Sequence, residues 1–95
     1  MNPCKEMSVE KLAEKVAMSE RNFSRIFVKE TGMTPAKFVE SIRIDYAASY
    51  LENEAMTIDQ VAVKSGFGTA EKMRRSFIRH LHVLPGTYRK RFGIN

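Results

Sequence analysis

Arg21, Ser24 and Arg25 share a segment with Phe23, Ile26 and Phe27, apolar residues at helical spacing, and the arrangement returns an offset of 50 later as Glu71, Arg74 and Arg75 around Met73 and Phe77. At about 100° per residue, each apolar stripe turns these polar side chains away from a core. Their types suit hydrogen bonding to base edges. Arginine can take guanine O6 and N7 in bidentate fashion, glutamate can accept from cytosine N4, and serine serves several edges. The same residues also suit an exposed helix surface with weak ion pairs, such as Glu71 with Arg75 at i, i+4.

The recurrence extends well beyond these positions. With an offset of 49, Met7-Ser8-Val9-Glu10 meets Met56-Thr57-Ile58-Asp59, Leu12-Ala13 meets Val61-Ala62, and Ala17-Met18 meets Gly66-Phe67. The extra Gly68 moves the offset to 50, after which Ser19 meets Thr69, Phe27 meets Phe77 and Pro35 meets Pro85. Two copies are too few for a solenoid, so the pattern describes one supersecondary unit used twice.

The elements that must position the polar residues follow from caps and periodicity. Ser8 caps a short helix with Val9, Leu12, Ala13 and Val16 on its apolar face; Ala17-Met18-Ser19 turns, and Ser19 caps a second helix over about 19–30. In the second copy Thr57 caps Ile58-Val61-Ala62, residues 65–68 turn, and Thr69 caps a helix over about 69–80. A short helix, a tight turn with a small residue and a second helix form a helix-turn-helix. A plain αα-corner has the same spacing, so periodicity alone leaves both readings open.

Between the copies, Pro35 stands at a first helical turn behind Thr34 and begins the longest uninterrupted helical stretch, residues 35–53. Phe38, Val39, Ile42, Ile44, Tyr46, Ala47, Tyr50 and Leu51 are too many apolar groups for one stripe, so this helix is expected to be buried on more than one side and to fix the separation of the units. The expected architecture is all-α: a first unit over 8–34, a connecting helix over 35–53, and a second unit with a C-terminal helix over 57–92, together one domain.

Charge favours nucleic acid. The 95 residues carry 16 Lys and Arg against 11 Asp and Glu, and residues 55–95 hold eight of the basic groups but two of the acidic ones. Such an excess neutralises phosphates and releases counterions. A basic surface kept for solubility is the bland alternative. No apolar run approaches the ~18 residues of a membrane span, and the N-terminus has no signal-peptide apolar stretch. Cys4 stands alone, which excludes a disulfide framework and reads as an incidental thiol. His80 and His82 are two apart and do not share a helix face as zinc ligands would at i, i+4. The one near Arg79 reads as a surface or phosphate-adjacent group. The six methionines fall mostly at core spacing. No catalytic constellation, metal site or cofactor is expected.

Together, Phe27-x-x-Glu-Thr-Gly32-x-Thr-Pro, Arg43-Ile44-x-x-Ala47, Ile58-x-x-Val-Ala62, Gly66-Phe67, Arg75-x-Phe77 and Pro85-x-x-Tyr88-Arg89 resemble the DNA-binding domain of the AraC/XylS transcription regulators, over roughly residues 8–92. The resemblance implies two helix-turn-helix units on a long helix, with both second helices entering successive major grooves of double-stranded promoter DNA. Carried over by position, the base-reading residues are Arg21, Ser24 and Arg25, with Ala70, Glu71, Arg74 and Arg75. Ser19, Thr57, Thr69 and Thr87 become phosphate contacts. Arg79 and the Arg89-Lys90-Arg91 run are expected to add cationic contacts. The resemblance also implies a bacterial cytoplasmic protein and a separate effector or dimerisation domain, and another surface is left open to contact with RNA polymerase.

Two departures from the family pattern bear on the first unit and on the chain's extent. Family domains usually open with a further short helix, and residues 1–7 with Pro3 offer little helix, so Leu12, Val16 or Phe27 are expected to be partly open. No effector domain accompanies these residues, and the expectation is that they are the C-terminal piece of a longer regulator. The run Gly66-Phe67-Gly68-Thr69-Ala70-Glu71 is most similar to members whose other half resembles an amidotransferase-like fold. A non-specific architectural DNA binder and a helical protein–protein adaptor are the competing readings.

Overall fold

The computed structural model describes residues 8–93, and Cys4, Met7 and the Pro3 lead-in lie outside them. The described residues form six α-helices and no strand: α1 (Val9–Lys15), α2 (Glu20–Thr31), α3 (Pro35–Asn53), α4 (Ile58–Lys64), α5 (Ala70–Leu81) and α6 (Pro85–Phe92).

Helix starts follow the cap residues. The hydroxyls of Ser8, Ser19, Thr34, Thr57 and Thr69 each accept a hydrogen bond from the backbone N–H three residues on, at 3.1–3.2 Å, which satisfies one of the free amides at each N-terminus. Gln60 returns a bond to the Thr57 amide and completes a capping box. The caps themselves are extended, so the second helix of each unit begins one residue later than the sequence ranges, at Glu20 and Ala70.

The repeat is also a repeat of backbone. Met18 N–H donates to Ala13 O at 3.0 Å, and Phe67 N–H donates to Ala62 O at 2.9 Å, so both turns close on the same carbonyl. Each turn needs a left-handed residue, supplied by Ala17 (φ 54°) in the first unit and Gly66 (φ 92°) in the second. The ends of α2 and α5 repeat this: Gly32 (φ 73°) caps the first and His82 (φ 58°) the second.

α3 packs against every other helix. Its buried residues, Pro35, Val39, Ile44, Ala47 and Leu51, spread over about half of its circumference, wider than one narrow stripe, while Phe38 on the remaining side is exposed. The main core joins its C-terminal half to the second unit: Ile44, Ala47, Leu51, Val61, Ala62, Phe67, Met73 and Phe77 form one cluster. α6 closes this end. Tyr88 meets Phe77 edge-on at 5.8 Å, and a Cβ on Gly93 would come within 2.9 Å of the Leu51 carbonyl, so the chain passes too close for a side chain.

The first unit is more thinly covered than its periodicity suggests. α2 has no buried residue, Ile26 is 37% exposed, and its Phe23 and Phe27 are half-buried. α1 stops at Lys15, and Val16, expected on its apolar face, is the C-cap and is 50% exposed. Packing here runs through an aromatic row, with Phe23 to Phe27 at 5.7 Å and Phe27 to Phe38 at 5.5 Å.

Candidate nucleic-acid interface

On α2, Arg21 and Arg25 are exposed while Ser24 is half-buried, so two of the three polar residues predicted to face outward do so fully. Arg25 Nη2 donates to Asn22 Oδ1 at 2.8 Å, one turn back. Ser19, Arg21, Asn22 and Arg25 together line an open recess of about 440 Å³ at the helix start.

On α5, Glu71, Arg74 and Arg75 are exposed and joined. Arg74 donates to both Glu71 oxygens, at 2.7 and 3.0 Å, and Arg75 Nε donates to the same carboxylate at 3.1 Å. The Arg74 hydrogen bonds and charge, with Arg75 adding to them, hold the Glu71 carboxyl down at about 2, and Glu71 in turn raises Arg74. Ala70, half-buried at the first helical position, shares a recess of about 440 Å³ with Glu71 and Arg74 on one side and Thr87 and Lys90 of α6 on the other. Thr87 is half-buried there. The hydroxyls of Ser19, Thr57 and Thr69 accept from backbone amides as caps, and each keeps its O–H proton as a donor.

A residue with no sequence signal holds α5 in place. Glu40, on α3, accepts from Ser76 at 2.9 Å, from His80 Nε2 at 2.6 Å and from the Arg79 guanidinium. Partial burial works against the charged carboxylate, yet these hydrogen bonds outweigh it and keep the group at about 2. The partners lie 36 to 40 residues away, beyond any local spacing rule. His80 is therefore a tie to the connecting helix, not a phosphate-adjacent group, and the Arg79 charge is shared with Glu40.

α6 carries a second correction. Arg89, expected in a phosphate-facing basic run, turns inward and donates to Leu51 O at 3.4 Å and Glu54 O at 3.3 Å, the carbonyl end of α3. Beside it Tyr88 donates to Glu52 at 2.5 Å; burial and that carboxylate push the phenol up to about 12, so it stays a donor. Lys90 and Arg91 remain exposed. Among the described residues, no group of three or more His, Cys, Asp or Glu is placed to hold a metal, and no helix is long and apolar enough to cross a membrane.

Residues 12–91 match the helix-turn-helix domain family. The chain is 48% identical over 82 residues to the HTH-type transcriptional regulator Rv1931c of Mycobacterium tuberculosis, covering 86% of this chain and 32% of that protein. It is 32% identical over 91 residues to the HTH-type transcriptional regulator MtrA of Neisseria gonorrhoeae, covering 96% of this chain and 30% of that protein. The chain thus spans about a third of the length of these relatives. Among solved structures, the DNA-binding domain of AdpA in complex with a target DNA superposes with a TM-score of 0.85 at 32% identity, over 94% of this chain and 80% of that one. An AraC-type regulator from Chromobacterium violaceum shares the fold, with a TM-score of 0.80 at 23% identity over 95% of this chain and 80% of that one.

Proposed function

The chain belongs to the AraC/XylS-type helix-turn-helix family, and on that premise we propose that it binds double-stranded promoter DNA sequence-specifically, with α2 and α5 reading successive major grooves. One observation carries the reading. The two helices occupy equivalent places in a repeated unit yet present different side chains, Arg21 against Glu71 and Ser24 against Arg74. A non-specific architectural binder has no use for that difference, and an adaptor would present an apolar groove where these helices present arginines. The asymmetry fits one monomer reading two unlike half-sites.

The roles divide by chemistry. Arg21, Ser24, Arg25, Arg74 and Arg75 meet base edges with donors, Glu71 accepts from cytosine N4, and Ala70 gives apolar contact to a thymine methyl. Ser19, Thr57, Thr69 and Thr87 donate to phosphates, which position the protein without carrying sequence. The protein acts in the bacterial cytoplasm as the DNA-binding part of a longer regulator. On this reading an effector or dimerisation domain is separate from these residues, and any contact with RNA polymerase uses another surface.

Selection of binding sites from random duplex DNA tests this. The expected product is an asymmetric site of two parts about one helical turn apart. Arg25→Ala should cost about 1–3 kcal/mol and relax preference in one part, and Arg74→Ala should do so in the other. No enriched sequence, or equal weakening on every sequence, would overturn base reading by these residues.

A further inference from the structure

Between the connecting helix and the second reading helix lies a cleft of about 570 Å³, lined by Lys37, Glu40 and Arg43 of α3 and by Lys72, Arg75 and Arg79 of α5. Five of these six side chains are basic, and the single carboxylate, Glu40, is shared with Ser76, Arg79 and His80. The recesses beside Ala70 and at the start of α2 hold two cations each. The base-reading assignments do not use Lys37 or Lys72, and both are exposed.

The position of the cleft around α5 says what it faces. Met73, Ser76 and Phe77 point into the core, and Glu71, Arg74 and Arg75 point outward. Lys72, Arg75 and Arg79 recur at i, i+3 and i+7, one flank of the helix, about a quarter-turn from Glu71 and Arg74. The opposite flank carries Ala70 and faces Thr87 and Lys90 across the other recess. A helix seated in a major groove has one sugar-phosphate strand along each flank. The flank with Lys72 and Arg79 is the one turned toward α3, which leads to the first unit.

We propose that this cleft is a phosphate channel, in which Lys37, Lys72 and Arg79 hold the sugar-phosphate strand that runs between the two half-sites. Arg75 belongs to both surfaces and makes the channel continuous with the reading face. Glu40 fixes the Arg79 guanidinium at the channel wall and lowers the channel's charge, so occupation depends on the two lysines. The inference rests on the DNA-binding reading above and adds a site to it.

The test uses the whole chain and a duplex carrying both selected half-sites. Neither lysine side chain is part of the core, and the caps at Lys37 and Lys72 use backbone amides, so Lys37→Gln with Lys72→Gln leaves the fold intact. Losing two phosphate contacts should flatten the slope of log affinity against log salt by about 1.8, at roughly 0.9 per phosphate. The order of base preferences should not change. Neutral methylphosphonates placed in the strand between the half-sites should weaken the parent protein and leave the double variant little affected.

An unchanged salt slope in the double variant, or a parent protein indifferent to methylphosphonates between the half-sites, would overturn the channel. In either case Arg74→Ala in the same assay reports on base reading separately. If Arg74→Ala still relaxes one half-site, the DNA-binding reading stands without the channel. If the parent protein binds no duplex in a salt-dependent way, both fall.

Discussion

Glu71 takes hydrogen bonds from Arg74 and Arg75 together, and under the proposed function this sets how the second helix would read DNA. The Arg74 fork is already oriented, so less side-chain freedom is lost when it meets a guanine. Against non-specific DNA the same carboxylate repels phosphates. Glu71→Gln should therefore raise affinity for arbitrary duplexes and steepen the salt dependence, while the specific-to-non-specific ratio falls by about 1–3 kcal/mol. Competition binding against random DNA measures both; a ratio that does not fall would show that Glu71 reads nothing. Backbone strain supplies a second prediction at this scale. Ala17 and His82 adopt left-handed conformations that Gly66 and Gly32 occupy in the sister unit. Ala17→Gly and His82→Gly should each stabilise the fold by about 0.5–1 kcal/mol, since a non-glycine residue there costs about 1–2 and glycine returns part of that as entropy. Thermal unfolding reads the change. The sequence pairing of Ala17 with Gly66 is visible, but its positive φ is not, because the left-handed turn shows in composition only where glycine fills it.

At the scale of elements, caps and periodicity made five helices readable, and Pro35 marked where α3 begins; α6, whose start has no side-chain cap, was expected only as the end of the second unit. What stayed hidden were bonds between elements far apart in sequence, from Glu40 to α5 and from Arg89 to the end of α3. Arginine in a basic run carries no local sign of whether it faces DNA or a helix C-terminus. The Glu40 hub predicts a pH effect. Its folded-state carboxyl lies at about 2 against an ordinary 4.5, so its stabilisation is complete above 4.5 and is lost as pH falls through 2. Glu40→Gln should cost about 1–3 kcal/mol near neutral pH and make stability depend less on pH between 4.5 and 2. Denaturant titrations across that window check it, and an unchanged pH profile would remove Glu40 from this role. The uneven core gives a further expectation. With its main cluster in the second unit and no buried residue in α2, amides of α1 and α2 should exchange at least about tenfold faster than those of α4 and α5.

The whole molecule is 45 Å long and 19 Å across its thinnest direction, and one stiff helix touches every other element. Its length is sufficient to span the roughly 34 Å between successive major-groove faces of B-DNA. α3 packs against both units and is tied to α5 through Glu40, and on the proposed reading it holds the two helices at a fixed separation. On that reading, a mismatch between their spacing and straight DNA would be taken up by bending the duplex, at a cost of order 1–6 kcal/mol. The most direct measurement of this account is binding to a selected site with five base pairs inserted between its halves, which turns one half to the opposite face of the DNA. Affinity should fall to that of a single half-site, and a further five base pairs should not restore it, since the halves then share a face but lie too far apart. Affinity retained on the five-base-pair insertion would contradict a rigid two-helix reader.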